Sequence, residues 1–325
     1  MTSASREVLE NRQIRKNKQQ KEDFRSWLCE QLREAGYNPQ IEKHRSLYTS
    51  HNVVAGDPEK AKVLLTAHYD TCAVLPFPNF ITPRSLFWYL AYQFLITFLF
   101  FAVVFAITFG VTFAAVWLTD GSDIGELIGF ITGYAVLIFG LWWMFDGKAN
   151  RHTVNDNTSG VITLLEIALT LPEELRDGVC FVWFDNEERG LLGSSSFAAK
   201  HKHAKKNALV INFDCVSDGD FLHFFPGKRV KKTDVPQLLA ESYLAAGEKT
   251  AEVVQGFGFY PSDQAQFRHG VGVCALKKSP VFGYYMDRIH TGRDTVLEED
   301  NIALLRSGTV RLLRTMKEKE ELHAQ

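Results

Sequence analysis

The stretch WFDNEERGLLGSS, Trp183–Ser195, places two glutamates, Glu187 and Glu188, shortly after an apolar run. That run, GVCFVWF at residues 178–184, has the length and the β-branched and aromatic content of a buried strand. Adjacent carboxylates at the end of a buried strand repel each other and lose solvation, so the arrangement needs a reason. Either the pair lies on a solvated turn, or a bound cation makes one carboxylate a ligand and its neighbour a base.

Two further apolar runs end in polar residues of the same kind. KVLLTAHYDT, residues 62–71, ends with His68 and Asp70, and ALVINFDC, residues 208–215, ends with Asp214. Open α/β sheets bind their ligands outside the carboxyl ends of the strands. The sequence therefore predicts an α/β fold in which these strand ends form one site.

Two other segments carry candidate ligands outside the predicted strands. VNDNTSGVITLLEIALTL, residues 154–171, places Asp156 before good capping residues and a helical apolar pattern. YYMDRIHTGRDT, residues 284–295, places His290 before a predicted C-terminal helix, residues 297 to about 317. Imidazole and carboxylate ligands without a thiolate suit catalytic zinc, and manganese or cobalt is chemically acceptable.

Each candidate also has an ordinary structural interpretation when it is taken alone. Asp70 reads as a strand-end carboxylate, Asp156 as a helix cap and His290 as a turn histidine. Asp263, in YPSDQAQFRHG, is either a pocket residue or a helix N-cap. It is the ordered set of motifs, and not any one residue, that favours a metal site.

The order of the motifs resembles metallopeptidase family 28, the group of co-catalytic zinc aminopeptidases, glutamate carboxypeptidases and glutaminyl cyclases. The motifs are His-x-Asp, Asp-Asn with a following Ser-Gly, Glu-Glu-x-Gly-Leu-x-Gly-Ser, Asp, and His-Thr-x-x-Asp-Thr. The resemblance runs from HNVVAG at His51 to the C-terminal helix and is interrupted by one long insertion. It implies a three-layer α/β/α fold with a mixed, mostly parallel central sheet.

The same resemblance implies a role for each matching residue. His68 and Asp214 complete one zinc site, Glu188 and His290 complete a second, and Asp156 bridges the two ions. Glu187 is then the general base. Asp70 orients the His68 imidazole through its second nitrogen. The family also implies a cis peptide bond between Asp156 and Asn157.

The leading functional prediction is an aminopeptidase that uses a two-metal-activated water and a glutamate base. One alternative is other amide chemistry on the same fold, namely a glutaminyl cyclase with one zinc or an amidohydrolase acting on a membrane-borne amide. Another is a membrane receptor or scaffold without catalysis, against which the complete ligand set argues. The number of bound metal ions separates the first two.

The insertion consists of two long apolar stretches. Residues 86–118 carry no charged side chain, residues 124–145 carry only Glu126, and the turn TDGSD separates them. A helix of about 20 apolar residues crosses a bilayer core, so both stretches predict spanning helices, with a buried core hairpin as the alternative. The predicted division is residues 1–84 for the start of the catalytic domain, 85–147 for a transmembrane hairpin and 148–325 for the remainder.

Charges around the hairpin predict its orientation. Arg84, Lys148 and Arg151 flank its base, whereas the turn at its tip has Asp120 and Asp123 and no basic residue. The positive-inside tendency then places an integral membrane enzyme with its catalytic domain in the cytoplasm. Because the insertion lies between the His68 and Asp156 motifs, the metal site is expected on the membrane-facing side, with a peptide or amide substrate presented at the bilayer.

Composition and small residues complete the sequence-based expectations. The chain has 325 residues and a net charge of −2, so no basic excess indicates a nucleic-acid partner. Small residues at Gly125, Gly129 and Gly133 predict helix packing, either within the hairpin or between protomers of a homo-oligomer. The segment from about Glu7 to Gly36 predicts one helix. The cysteines are odd in number and predict free thiols: Cys29, Cys72, Cys180, Cys215 and Cys274.

Overall fold

Strand pairing brings the predicted apolar strands side by side. A computed structural model of the protein describes residues 1–46 and 48–323; Leu47, Ala324 and Gln325, which the predicted domain boundaries include, lie outside them. The central strands run parallel in the order β4-β3-β5-β8, and antiparallel pairs extend the sheet on both sides. Every residue of β3, β4 and β5 is buried, as expected of parallel strands covered on both faces. The strands of the described residues are β1 Gln40–Arg45, β2 Thr49–Ala55, β3 Val63–His68, β4 Val179–Phe184, β5 Leu209–Phe213, β6 Phe221–Pro226, β7 Thr250–Val253, β8 His269–Ser279 and β9 Gly283–Tyr285.

Helices cover the sheet on both faces. The larger apolar core lies under α1 Ser3–Asn11, α2 Lys18–Glu34, α5 Gly160–Thr170, α8 Val235–Ser242 and α9 Glu299–His323. The smaller core lies under α6 Leu192–Lys200 and α7 Lys202–Lys206 on the opposite face. Successive side chains of β3 point to opposite faces of the sheet, so Leu65 packs in the larger core and Leu64 in the smaller core. The predicted three-layer α/β/α class with a mixed sheet is confirmed.

The N-terminal segment forms two helices, so the prediction of one continuous helix is wrong. The chain leaves the helix after Asn11, and a capping box formed by Asn17 and Gln20 starts the next one. Arg15, in the break, is fully buried and donates hydrogen bonds to the carbonyl oxygen of Tyr69 and the hydroxyl of Thr158. The break therefore places the buried Arg15 guanidinium beneath the carboxyl ends of the strands.

The insertion forms a helical hairpin, α3 Leu86–Leu118 and α4 Asp123–Asp146, close to the predicted limits. Both helices are long and apolar enough to cross a membrane, and little of either is buried within the described residues. The helices pack on each other at small residues, where Gly125 meets the backbone of Val116 and Gly129 meets the side chain of Thr112. The predicted small-residue packing thus occurs within the hairpin.

The base of the hairpin is fastened to the rest of the protein by aromatic contacts and backbone hydrogen bonds. Trp88 stacks edge-on against Phe282 with ring centroids 5.1 Å apart, and Tyr92 donates a hydrogen bond of 2.6 Å to the carbonyl of Pro78. The N–H of Val74 donates to the carbonyl oxygen of Lys148 at 2.9 Å. The loop before the hairpin and the segment after it are therefore held together.

Candidate active site

The carboxyl ends of three adjacent strands carry the predicted polar residues. His68 is the last residue of β3, Asp214 follows β5 directly, and Glu187 and Glu188 lie three and four residues beyond β4. Since β4, β3 and β5 are parallel neighbours, their ends meet at one edge of the sheet. The sheet alone thus brings three of the five predicted motifs together.

Asp156 is held between these strand ends by the residue that follows it. The predicted cis peptide bond between Asp156 and Asn157 is present. The Asn157 amide donates to the carbonyl oxygens of His68 and Phe213, and its carbonyl oxygen accepts from the N–H groups of Gly160 and Cys215. This one buried side chain links the ends of β3 and β5 to the start of α5.

His290 approaches from the opposite side, on the loop between β9 and α9. Its backbone has a φ of 63°, a left-handed conformation that turns the imidazole toward the strand ends. Its carbonyl oxygen accepts a hydrogen bond of 2.8 Å from the N–H of Leu75. The histidine loop is therefore tied to the segment that leads into the hairpin.

The two oxygens of Asp156 face two different groups of ligand atoms. The Oδ1 atom lies 3.4 Å from His68 Nε2, which in turn lies 3.5 Å from Asp214 Oδ1. The Oδ2 atom lies 3.1 Å from His290 Nε2, which lies 3.3 Å from Glu188 Oε2. The ligand atoms of His68, Asp156 and Asp214 all lie within 4.8 Å of one another, close enough to hold one metal ion.

The electrostatics of the site fit a bound cation. Glu188 Oε1 is buried without a hydrogen-bond partner among the described residues, and burial raises the pKa of Glu188 to about 7 although His290 opposes the rise. Burial also raises the pKa of Glu187 well above its usual range, against the attraction of His68. Both carboxylate oxygens of Asp263 are likewise unpartnered in the described structure, and burial raises the pKa of Asp263 to about 7. Carboxylates in such excess are stabilised as anions when cations lie among them.

Asp70 positions both glutamates through their backbone. Its carboxylate accepts hydrogen bonds from the N–H of Glu187 at 3.0 Å and of Glu188 at 3.2 Å. The Nδ1 atom of His68 lies 3.2 Å from the backbone carbonyl oxygen of Asp70 and 3.6 Å from its carboxylate. The residue thus lies where a ligand histidine is oriented, and it also fixes the turn that carries the two glutamates.

Three residues with contacts at the site were not assigned to it from the sequence. Asp294 accepts hydrogen bonds from the N–H groups of Asn155 at 2.6 Å and Asp156 at 3.0 Å. Arg15 lies beneath the site, where burial lowers its pKa to about 9 although Asp70 and Asp156 favour its charge. The sulfur of Cys72 lies within 4.8 Å of ligand atoms of Glu188 and His290. Asp294 had a visible signal in the motif HTGRDT.

The cysteines agree with the expectation of free thiols. All five are unpaired and buried. Burial raises the pKa of the Cys72 thiol well above its usual range. Its sulfur belongs to the group with Glu188 and His290 that could hold a metal ion, and the sequence did not predict it as a ligand.

A family model described as peptidase family M28 matches residues 145–313. The chain belongs to peptidase family M28. The match begins at the end of the hairpin, so it contains Asp156, Glu187, Glu188, Asp214 and His290 but not His68 or Asp70. His68 ends β3 and Asp70 follows it, and β3 lies between β4 and β5, so the sheet places both residues beside the matched ones. No curated protein matches the sequence.

Solved structures with the same fold include both peptidases and cyclases. A glutaminyl cyclase from Porphyromonas gingivalis superposes with a TM-score of 0.61 at 18% identity, covering 96% of each chain. A Zn-dependent exopeptidase from Parabacteroides distasonis gives a TM-score of 0.59 at 15% identity, covering 95% of this chain and 94% of that one. The LapA aminopeptidase of Legionella pneumophila gives 0.54 at 14% identity, covering 95% and 69%. At these identities the likeness shows the fold.

Family membership confirms that the protein is an enzyme of the metallopeptidase type. Peptidase family M28 contains zinc-dependent hydrolases, so peptide-bond or related amide chemistry and zinc follow at the level of the family.

Proposed function

We propose that this M28 protein is a membrane-anchored zinc aminopeptidase that hydrolyses N-terminal peptide bonds with two metal ions and a glutamate base. In this proposal His68 and Asp214 hold one ion, Glu188 and His290 hold the other, and Asp156 binds both. Glu187 is the base, and Asp70 positions His68 and the two glutamates.

The observation that carries the proposal is the division of the ligand atoms about Asp156. Its two carboxylate oxygens point to two separate histidines, and each histidine has a second carboxylate within 3.5 Å. A one-metal site would not need two such half-sites on opposite oxygens of one aspartate. Shared carboxylates of this kind are typical of co-catalytic metal pairs.

The chain's own groups account for the proton transfers. Zinc, when bound, polarises the scissile carbonyl and makes water more acidic. Glu187, whose backbone is fixed by Asp70, accepts the proton of the attacking water at its carboxylate and later donates it to the nitrogen of the leaving amine. Because that proton is taken up and returned by one group, the site is restored at the end of each turnover.

We further propose that the hairpin, residues 85–147, anchors the enzyme in a bilayer with the catalytic parts, residues 1–84 and 148–325, in the cytoplasm. Support comes from the exposed apolar surface of both helices, which include Phe109 at 74% and Trp117 at 74% exposure. A core helix of a soluble protein would bury such side chains. A homo-oligomer through the hairpin remains a prediction.

Orientation has a direct test in intact cells. A membrane-impermeant maleimide should label Gly121→Cys at the hairpin tip from outside. The exposed position Lys148, changed to cysteine, should react only after lysis. The opposite pattern would place the catalytic parts outside the cell, and labelling of both positions from outside would contradict a spanning hairpin.

A glutaminyl cyclase is the second candidate, because one such enzyme superposes over 96% of both chains. Both candidates use the same fold but release different products. The peptidase releases a free amino acid, whereas the cyclase releases ammonia and leaves the peptide chain intact.

The full-length protein, purified in detergent and loaded with zinc, tests the proposal with a library of free-amino and amino-blocked peptides that includes N-terminal glutamine. We expect single residues to be released from unblocked peptides, no release by Glu187→Gln, and two zinc ions per chain by elemental analysis. Ammonia release with one bound zinc would establish the cyclase instead.

A further inference from the structure

A cleft between the hairpin helices opens directly beside the candidate active site. The cleft has a volume of about 410 Å³ and lies between α3 and α4, with the loop Leu75–Phe77 at its base. A smaller pocket of about 100 Å³ contains Glu188 and His290. Leu75 and Met144 line both cavities, so the apolar cleft and the metal pocket share a wall.

The cleft exists because the two helices diverge toward the catalytic domain. Near the tip, Gly125 of α4 meets the backbone of α3 itself. Further along, Gly129 and Gly133 meet the side chains of Thr112 and Thr108, and Gly140 meets only the ring of Phe100. The α3 group that faces each α4 glycine thus grows from bare backbone at Gly125 to an aromatic ring at Gly140. This ring, Phe100, lines the cleft.

The chemistry of the lining selects a hydrocarbon occupant. The side chains that line the cleft in the described structure are aliphatic, aromatic or thioether groups, with the Trp143 indole as their one N–H donor. A peptide backbone in this cleft would bury amide groups without hydrogen-bond partners, which is unfavourable. A hydrocarbon chain has no such groups to satisfy.

The length of the cleft corresponds to one leaflet of a membrane. On α3 its lining runs from Ile96 to Ile107, a distance of about 16 Å at 1.5 Å per helical residue. A bilayer core of about 30 Å allots about 15 Å to each leaflet. A chain that follows the cleft from the metal pocket therefore reaches about as far as a lipid tail does.

The link to the active site is also a backbone link. The N–H of Leu75 bonds to the carbonyl oxygen of His290, and that of Val74 bonds to the carbonyl oxygen of Lys148 at the end of the hairpin. The wall of the cleft and the loop that carries the histidine ligand are therefore one hydrogen-bonded unit. A chain in the cleft would end where the candidate ligands begin.

We propose that this cleft binds a hydrocarbon chain carried by the substrate, so that the amide to be hydrolysed lies at the metal site while its apolar chain lies between α3 and α4. The inference rests on the proposed function, because it assumes amide hydrolysis at that site. It narrows the substrate class from peptides in general to amides with a long apolar chain. A chain on the amine side leaves the free amino terminus that the proposed aminopeptidase needs. A chain on the acyl side blocks that amino group, so it would change the proposed reaction from aminopeptidase to N-acyl amide hydrolysis.

Two matched substrate series show whether the apolar chain lies on the acyl side or on the amine side of the amide. One series consists of N-acyl amino acids from acetyl to palmitoyl, and the other of aminoacyl alkylamides from methylamide to hexadecylamide. With monomeric substrates, each methylene buried in the cleft adds to binding, so we expect kcat/KM to rise at least about tenfold along one series. If neither series depends on chain length although short amides are hydrolysed, the proposal is wrong and the proposed function stands.

A pair of tryptophan variants on α4 ties any dependence on chain length to the cleft. Val136 lines the cleft, whereas Ile138, two residues further along the same helix, is not among the residues that line it. We expect Val136→Trp to lower the long-chain to short-chain ratio of kcat/KM about tenfold, and Ile138→Trp to keep the wild-type ratio. Equal ratios in the two variants would refute the assignment of the chain to this cleft.

Occupancy is measured without turnover by photolabelling. A diazirine-bearing form of the preferred long-chain amide is incubated with full-length Glu187→Gln in nanodiscs, and the labelled residues are mapped by mass spectrometry. We expect labels on cleft residues such as Leu99 and Phe139, and we expect excess unlabelled amide, but not excess phospholipid, to remove them. Equal competition by phospholipid would mean that bulk lipid fills the cleft. Labelling without hydrolysis by the wild type would overturn the proposed function and leave the cleft assignment intact.

Discussion

The strand ends and the hairpin bury opposite kinds of side chain. At the strand ends polar groups are buried, with His68 at 1% and Asp156 at 5% exposure. In the hairpin apolar groups are exposed, with Phe94 at 73% exposure, and its tightest internal contacts are made by glycine. Buried polar groups are stable when they find partners or a cation, and under the proposed membrane insertion the exposed apolar groups of the hairpin would contact lipid. The proposed function thus assigns the two regions different solvents within one chain.

The short segment between β3 and α3 lets these two regions meet. Cys72 lies among the ligand residues, and only three residues later Leu75 lines the apolar cleft. A polar pocket and an apolar cleft therefore adjoin within three residues of the chain. An enzyme that hydrolyses an amide with an apolar chain needs this juxtaposition, since water and hydrocarbon must both be accommodated within a few ångströms.

Glu187→Gln should have the largest effect, because it removes the base and keeps the shape of the polar region. A positioned general base contributes about 10²–10⁴-fold, so we expect kcat to fall by that factor with the zinc content unchanged. Steady-state kinetics and elemental analysis of the same preparation provide the measurement. Glu188→Gln is the matched comparison and should lose zinc as well as activity. A Glu187 variant that kept more than a tenth of wild-type kcat would remove this residue from the mechanism.

Acid should destabilise the catalytic domain but not the hairpin, because titratable groups stabilise the catalytic domain and not α3 and α4. Burial disfavours the charge of Glu42, but His44, Lys200 and His201 outweigh burial and lower its pKa from 4.5 to about 2. With the folded-state pKa below the unfolded one, the stabilisation is fully present above about pH 4.5. It is lost as the pH falls toward 2. Solvent screens part of the interactions of this half-buried carboxylate, so the linkage amounts to about 2 kcal/mol.

Unfolding of the catalytic domain, followed by amide hydrogen exchange of its buried strands across this pH window, tests that linkage. We expect Glu42→Gln to flatten the acid dependence of the unfolding free energy. The control is Glu59→Gln, because the Glu59 carboxylate also contacts His201 but is half-exposed, and we expect this variant to keep nearly the wild-type acid dependence. Hairpin helicity in detergent should persist through the acid transition. A wild-type acid dependence in Glu42→Gln would show that other carboxylates dominate.

Asp294→Asn should weaken the support of the bridging aspartate without touching a candidate ligand. The carboxylate accepts from two backbone N–H groups, whereas an amide accepts from one and turns its own NH₂ toward the other. We expect a loss of about 1–3 kcal/mol in unfolding free energy and a reduced zinc affinity. Denaturant unfolding and zinc titration give both quantities. An unchanged zinc affinity would limit Asp294 to a role in stability.

Sequence patterns predicted the features that depend on burial and local order. The apolar runs located the strands beside His68, Glu187 and Asp214, and the two long apolar stretches located the hairpin within about a residue. The roles of individual ligands came from the family resemblance, because spacing alone left Asp156 equally readable as a helix cap. The contacts of Asp294 join residues far apart in the chain, and no local pattern encodes such hydrogen bonds.

The break in the N-terminal helix is a second feature that depends on long-range contacts and was not predicted from local sequence patterns. The amphipathic pattern continues through Arg15, so periodicity favoured one helix. The structure instead ends the helix and buries this cation against Tyr69 and Thr158, where the acidic strand ends attract it. The long-range hydrogen bonds of Arg15 thus override local helix propensity, although burial disfavours its charge, and no window of sequence can reveal such contacts. The cleft between α3 and α4 was missed for a related reason, because it depends on how far two helices diverge.

The smallest effect concerns the hairpin alone and uses two glycines with opposite surroundings. A methyl group at Gly129 would collide with the Thr112 side chain, whereas Gly110 has nothing within 4 Å of the same position. We expect Gly129→Ala to destabilise the hairpin by roughly 1 kcal/mol through overpacking, and Gly110→Ala to be neutral or slightly stabilising. Thermal unfolding in detergent, followed by helicity, compares the two variants. Both should keep normal kcat on short amides, since neither glycine lines the cleft or the metal pocket. If the two alanine variants unfold alike, the close contact at Gly129 does not hold the helices together, and the divergence that forms the cleft must be set at the base of the hairpin.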